Sequence, residues 1–152
     1  MEWSSLASTL VGGTIAAVAA LLVEGRRWKR ERSNQRSEVR RTLYGSYLAS
    51  LTQARHACSV LARDPDASPA ARRSAIHKAF DPCNAFRAQM TIVAPRGLVD
   101  PSRRAYLDLR EFGDRIAEGL RLEDPEYGVR RTKHDQVLTV LIDAMRQDLD
   151  KG

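Results

Sequence analysis

From Trp3 to Val23 the chain carries no charged residue, and no other feature restricts the fold as strongly. As an α-helix those 21 residues would extend about 32 Å, enough to cross a hydrocarbon layer of about 30 Å. Arg26, Arg27, Lys29, Arg30 and Arg32 follow the run at once, whereas only Glu2 and the terminal amine precede it. That asymmetry predicts a single-pass helix in the cell membrane, with the N-terminus outside and the C-terminal domain cytoplasmic. A cleaved signal peptide needs its basic residues ahead of the apolar core and small residues at its end, and Leu21-Leu22-Val23-Glu24 fits neither demand. A buried helix of a soluble protein is the other alternative, since Ala and Gly moderate the hydrophobicity. A helix apolar all round needs a large core to hide in, however, and the rest of the chain is short.

The charge distribution extends this reading. Residues 24–42 hold eight basic side chains against three acidic ones, while residues 43–152 hold 17 against 15. The expected domains are an anchor over 1–23, a basic juxtamembrane helical stalk over 24–42 and a helical bundle over 43–152. In such a stalk Arg26, Arg27, Lys29, Arg30 and Arg32 would meet anionic membrane lipids, with Trp28 as an interface anchor. Arg36, Arg40 and Arg41 lie beyond the reach of unscreened lipid attraction and are left for contact with an unidentified protein partner. Within the anchor, Ser8, Gly12, Ala16 and Ala20 recur every four residues, a small-residue face that would let two copies pair as a homodimer. Nucleic acid is not an expected partner, because the nearly balanced domain lacks a basic footprint.

Past the stalk, apolar residues recur at spacings of three and four, the mark of helices with one buried face. The first line runs from Val39 through Leu43, Tyr47, Leu51, Ala54, Cys58 and Leu61 to a stop at Asp64-Pro65. Ser68-Pro69 reads as a cap and first-turn proline for a line through Ile76, Phe80, Cys83, Phe86, Met90 and Val93. That line keeps its phase across Pro82, which favours one kinked helix or two nearly collinear ones. Asp100-Pro101 opens a third, with Tyr106, Leu109, Phe112, Ile116 and Leu120 on one side. Asp124 to Gly128 reads as a turn, and Thr132 with Asp135 as a capping box for a fourth line through His134, Leu138, Leu141, Met145 and Leu149. No segment alternates with period two. The fold class is therefore all-α: a single transmembrane helix followed by an antiparallel up-down bundle.

Chemistry-bearing motifs are sparse. No Glu stands three residues ahead of His56, His77 or His134, the spacing that metal sites in helical bundles use. No metal or cofactor is expected. Cys58 and Cys83 fall too far apart along a hairpin centred near residue 66 for a disulfide and read as core thiols; Arg55-His56-Ala57-Cys58 is too isolated to form a catalytic pair. His77 and Asp81, four apart, suit a surface hydrogen bond. Asp108, Glu111, Asp114 and Glu118 recur among Arg104, Arg110 and Arg115 as a solvated, salt-bridged face. Phosphate loops are absent.

The N-terminal apolar helix, the Arg-rich stalk, Arg40-Arg41-x-x-Tyr44-x-x-Tyr47-Leu48 and the segment Leu141 to Leu149 together resemble small membrane-anchored helical proteins of actinobacteria. The excess of Arg over Lys, 21 to 4, suits a GC-rich genome of that kind. The resemblance brings no activity or site residues with it. The expected function is a membrane-tethered interaction or scaffold module without catalytic activity. The alternatives are a nucleic-acid-binding or regulatory domain using the basic stalk and Arg130-Arg131-x-Lys133, and an enzyme with a site inside the bundle. The phase of the third helix is open to a direct check: Phe112→Ala should lower stability in urea melts by about 3–5 kcal/mol. A loss below about 1 kcal/mol would place Phe112 at the surface.

Overall fold

The computed structural model of the chain describes residues 35–151. They form four helices: α1 over 35–63, α2 over Pro69–Val93, α3 over Arg96–Ala117 and α4 over Pro125–Asp150. From Val39 onward the chain is one compact unit. Cross-helix contacts fix the course of the chain. Tyr44 meets Asp148 and Ser59 meets Tyr127, so α1 and α4 are antiparallel. Asn84 meets Tyr106 and Ile76 lies beside Gly113 between α2 and α3. Asp108 meets His134 and Arg115 meets Glu126 between α3 and α4. The result is an all-α four-helix bundle. The Tyr47 hydroxyl donates to the Ser102 carbonyl oxygen at 2.8 Å, tying α1 to α3 within the core.

Single-pass membrane architecture, cell-membrane location with the N-terminus outside, and tethering at an inner face are corrected by this structure. Among the described residues no helix is long and apolar enough to cross a membrane. Length is not the obstacle, since the 26 residues of α4 would reach about 39 Å. Each described helix carries charged side chains at its exposed positions. The stretch 3–23, where the span is expected, lies outside the described residues, as do Ser8, Gly12, Ala16, Ala20, the basic cluster Arg26, Arg27, Lys29, Arg30 and Arg32, and Trp28. Anionic lipid and a transmembrane homodimer consequently have no spanning or lipid-facing helix to support them among the described residues.

Other differences are local. Val39 opens the first apolar line in sequence but is 57% exposed, and the core begins at Leu43. The Ser68 hydroxyl accepts the Ala71 N–H at the start of α2 with Pro69 in its first turn, and the helix runs unbroken past Pro82. α3 starts at Arg96 rather than at Asp100-Pro101: Leu98 is buried, and its packing holds the chain helical ahead of Pro101. α4 starts seven residues before Thr132, with Asp124 in the cap position and Pro125 in the first turn. The residues read as a turn include Tyr127, whose ring meets that of Phe112 edge-on with centroids 5.2 Å apart. That packing draws the segment into the helix, and Asp135 lies well inside it.

The end of α1 is held from two sides. Arg72 on α2 donates to the Asp64 carbonyl oxygen at 2.8 Å, and Arg121 donates to the same oxygen and to that of Pro65. Guanidinium groups there satisfy the carbonyls of the two residues that follow the helix and complement the negative end of its dipole.

Gly113 sets the approach of α2 to α3. A Cβ built there would lie 3.1 Å from Ile76 Cγ2 and 3.1 Å from Phe80 Cε2, and both side chains are fully buried. Gly113→Ala gains up to about 1 kcal/mol of helix propensity but overpacks a core where such changes cost about 1–3 kcal/mol. The expected net effect is a loss of about 1–2 kcal/mol in urea melts; an unchanged or raised midpoint would show that Phe80 yields freely.

Candidate functional site

Along α1, Arg55, Ser59 and Arg63 succeed one another every four residues and so form one stripe, with His56 beside it. Along α4, Tyr127 and Arg131 do the same. The bundle turns these stripes toward each other around a cleft of about 260 Å³ lined by Arg55, His56, Ser59, Arg63, Phe112, Tyr127 and Arg131. Phe112 and Tyr127 are 2% and 3% exposed and make its floor. Ser59 Oγ and the Tyr127 hydroxyl share a hydrogen bond of 2.9 Å. Arg55 forms an ion pair with Asp135. His56, Arg63 and Arg131 have no hydrogen-bond or ion-pair partner among the described residues. No carboxylate lines the cleft, so its polar surface consists of cationic nitrogens, an imidazole and two hydroxyls.

The segment Arg55-His56-Ala57-Cys58 thus divides: Arg55 and His56 face the cleft, while Cys58 is in the core. Cys58 and Cys83 are free, buried thiols. Burial pushes the Cys58 thiol up to about 12 and the Cys83 thiol upward as well, although a Ser50 hydrogen bond opposes the latter. Thiolate character is therefore suppressed at both. Arg130 and Lys133 part from Arg131 in the same way, turning to Glu111 and Asp108 on α3.

A larger groove of about 540 Å³ between α2 and α3 is lined by Arg73, His77, Lys78 and Arg110 together with Asp81 and Asp114. No hydrogen bond joins His77 to Asp81. Arg110 pairs with Asp114 at 3.3 Å and lies over the Phe80 ring at 5.3 Å from its centroid. Its charges are mixed, unlike those of the α1–α4 cleft. Of the remaining basic residues assigned to partner contact, Arg40 pairs with Asp148 at 3.4 Å, and Arg36 and Arg41 are exposed. Among the described residues no three His, Cys, Asp or Glu side chains gather as metal ligands.

The acidic residues of α3 do form ion pairs, but with α4 as well as within α3. Glu126 accepts from both Arg115 and Arg130, and those hydrogen bonds hold its carboxyl well down, at about 2. Asp108 Oδ1 lies 2.9 Å from Lys133 Nζ, and Asp108 Oδ2 lies 3.3 Å from Nδ1 of His134. His134 is 0% exposed, and its Nε2 is buried without a partner.

No family model, no curated protein and no solved structure matches this chain. The resemblance to membrane-anchored actinobacterial proteins is thereby corrected: its basis is layout and Arg-rich composition alone.

The buried imidazole has a measurable consequence. Desolvation holds His134 below the usual histidine value, and Asp108 offsets this only in part. The unfolded chain takes up a proton near 6.5 that the folded chain resists, so the contribution of this group is complete above that pH and is lost progressively as pH falls below it toward the lower folded value. Urea midpoints should drop between about pH 7.5 and about pH 5.5, roughly one unit either side of the ordinary histidine value, and the drop should shrink in His134→Gln. An equal drop in both proteins would assign the pH dependence elsewhere.

Proposed function

We propose that this chain is a non-catalytic recognition domain whose α1–α4 cleft binds a small phosphate-bearing ligand. One observation carries the reading: Arg55, Arg63, Arg131 and His56 surround two hydroxyls in a cleft that no carboxylate lines. Guanidinium forks match the spacing of phosphoryl oxygens and form stronger hydrogen bonds to ionised acceptors than to neutral ones. A phosphoryl group offers three terminal oxygens and up to two negative charges, which suits several convergent donors better than a monocarboxylate does. The size of the cleft adds a limit. Pockets for drug-sized ligands run to about 300–1,000 Å³, so this one suits a phosphoryl group with a small substituent. Support for a non-catalytic role comes from the Ser59 hydroxyl, which bonds to Tyr127 rather than to a base, and from the burial of both thiols.

Inorganic phosphate is the direct probe. Titration into ¹⁵N-labelled protein should give saturable shifts of the Ser59, Tyr127 and Arg131 amides. The double change Arg63→Gln with Arg131→Gln should weaken binding by about tenfold or more, given about 1.5–3 kcal/mol for a hydrogen bond to a charged group. Shifts that fail to saturate, or equal affinity in the double variant, would reject the reading.

A further inference from the structure

We infer that Asp135 acts as a built-in counter-anion that sets which ligands the α1–α4 cleft accepts, an inference that rests on the phosphate reading above. Tyr127, Arg131 and Asp135 stand four residues apart along one stripe of α4, so the carboxylate follows directly on the cleft lining. It does not turn back to Arg131, its neighbour at the spacing where helical ion pairs form. It crosses to α1 and pairs with Arg55 instead, leaving Arg131 without a partner among the described residues. Of the three arginines around the cleft, one is therefore already bound to a carboxylate of the chain itself, and the other two face the opening with His56.

The contact is also poised for exchange. The side chains of Arg55 and Asp135 are 32% and 48% exposed, and an ion pair in such a position contributes little stability. Breaking it does not disturb the core. Being intramolecular, however, the carboxylate is present at an effective concentration in the millimolar range or above. An incoming monoanion offers Arg55 nothing that Asp135 does not already supply. A phosphate dianion does offer more, because its second charge and third oxygen engage Arg63 and Arg131 at the same time. Asp135 thus selects for charge: it excludes monocarboxylates and yields to a phosphoryl group.

The test compares inorganic phosphate with acetate at constant ionic strength, by NMR titration of wild-type protein, Asp135→Asn, Asp135→Glu, Arg55→Gln and the double change Asp135→Asn with Arg55→Gln. The wild type should prefer phosphate. In Asp135→Asn, acetate affinity should rise by about fivefold, the upper range for an exposed ion pair, with a smaller rise for phosphate, so that selectivity narrows. Asp135→Glu should restore wild-type selectivity. Adding Arg55→Gln should abolish the gain of Asp135→Asn, the coupling expected if the two residues act as one unit. Phosphate binding that stays the same in wild type and Asp135→Asn, with acetate excluded from both, would overturn this inference and leave the phosphate reading intact. Failure of phosphate to bind either protein would overturn both. Thermal melts that coincide across the variants establish that the differences lie in binding and not in folding.

Discussion

The missing side chain of Gly113 leaves the space on which the rest of the bundle depends. Ile76 and Phe80 of α2 occupy it, and from there a chain of aromatic contacts spreads in both directions. Phe80 meets Tyr106 edge-on with centroids 5.9 Å apart; the Tyr106 hydroxyl donates to Asn84 at 2.7 Å, and Arg87 lies over the Tyr106 ring. One residue from Gly113, Phe112 turns the other way and meets Tyr127. Closely packed interiors transmit changes of a methyl group, so the α2–α3 approach and the cleft floor are parts of one packing problem. The position of the Tyr127 hydroxyl, and with it the partner of Ser59, is set from the far side of α3.

Polar groups are arranged around that core with a clear division. Arg72 and Arg121 meet backbone carbonyls at the end of α1, and the carboxylates of Asp108, Glu111 and Glu126 are shared among Arg115, Arg130 and Lys133. Inside, His134 has one ring nitrogen on Asp108 and the other unpartnered. An unmade buried hydrogen bond is unfavourable by about 1–3 kcal/mol, and a charged imidazole in that place would be worse. The α3–α4 seam is therefore built for the neutral ring, and acid works against it.

The sequence shows which faces are buried more clearly than where helices begin or what meets across them. Ile76, Phe80, Cys83 and Met90, and likewise Leu109, Phe112 and Ile116, are read as lines at spacings of three and four and are buried, because that period reports burial one helix at a time. Boundaries are harder, since Asp-Pro is a helix-start signal that tertiary packing can override. Leu98 does so ahead of Pro101, and at Asp124-Pro125 the signal is a true start that a neighbouring Gly128 hides. Read as a turn, Asp124 to Gly128 leaves Tyr127 and Arg131 without a common helix face. The cleft is then illegible, although Arg55, Ser59 and Arg63 show their period openly. The N-terminal apolar run points toward lipid, and the described residues contain no helix long and apolar enough to cross a membrane.

The floor and the rim of the cleft have different physical tasks. Its floor is aromatic, buried and hydrogen-bonded, so the Ser59–Tyr127 pair is fixed before any ligand arrives. Its rim is arginine, and ordering one long side chain on binding costs about 0.5–1.5 kcal/mol. The pair with Asp135 reduces that cost for Arg55, whose guanidinium is already restrained beside the opening. The same contact neutralises the charge it positions. Restraint favours binding and neutralisation opposes it, and the balance depends on the ligand: a monoanion gains the first and meets the second in full. A dianion has a further charge for Arg63 and Arg131, which no internal carboxylate holds. Selectivity in this cleft therefore follows from how unevenly the chain satisfies its own cations.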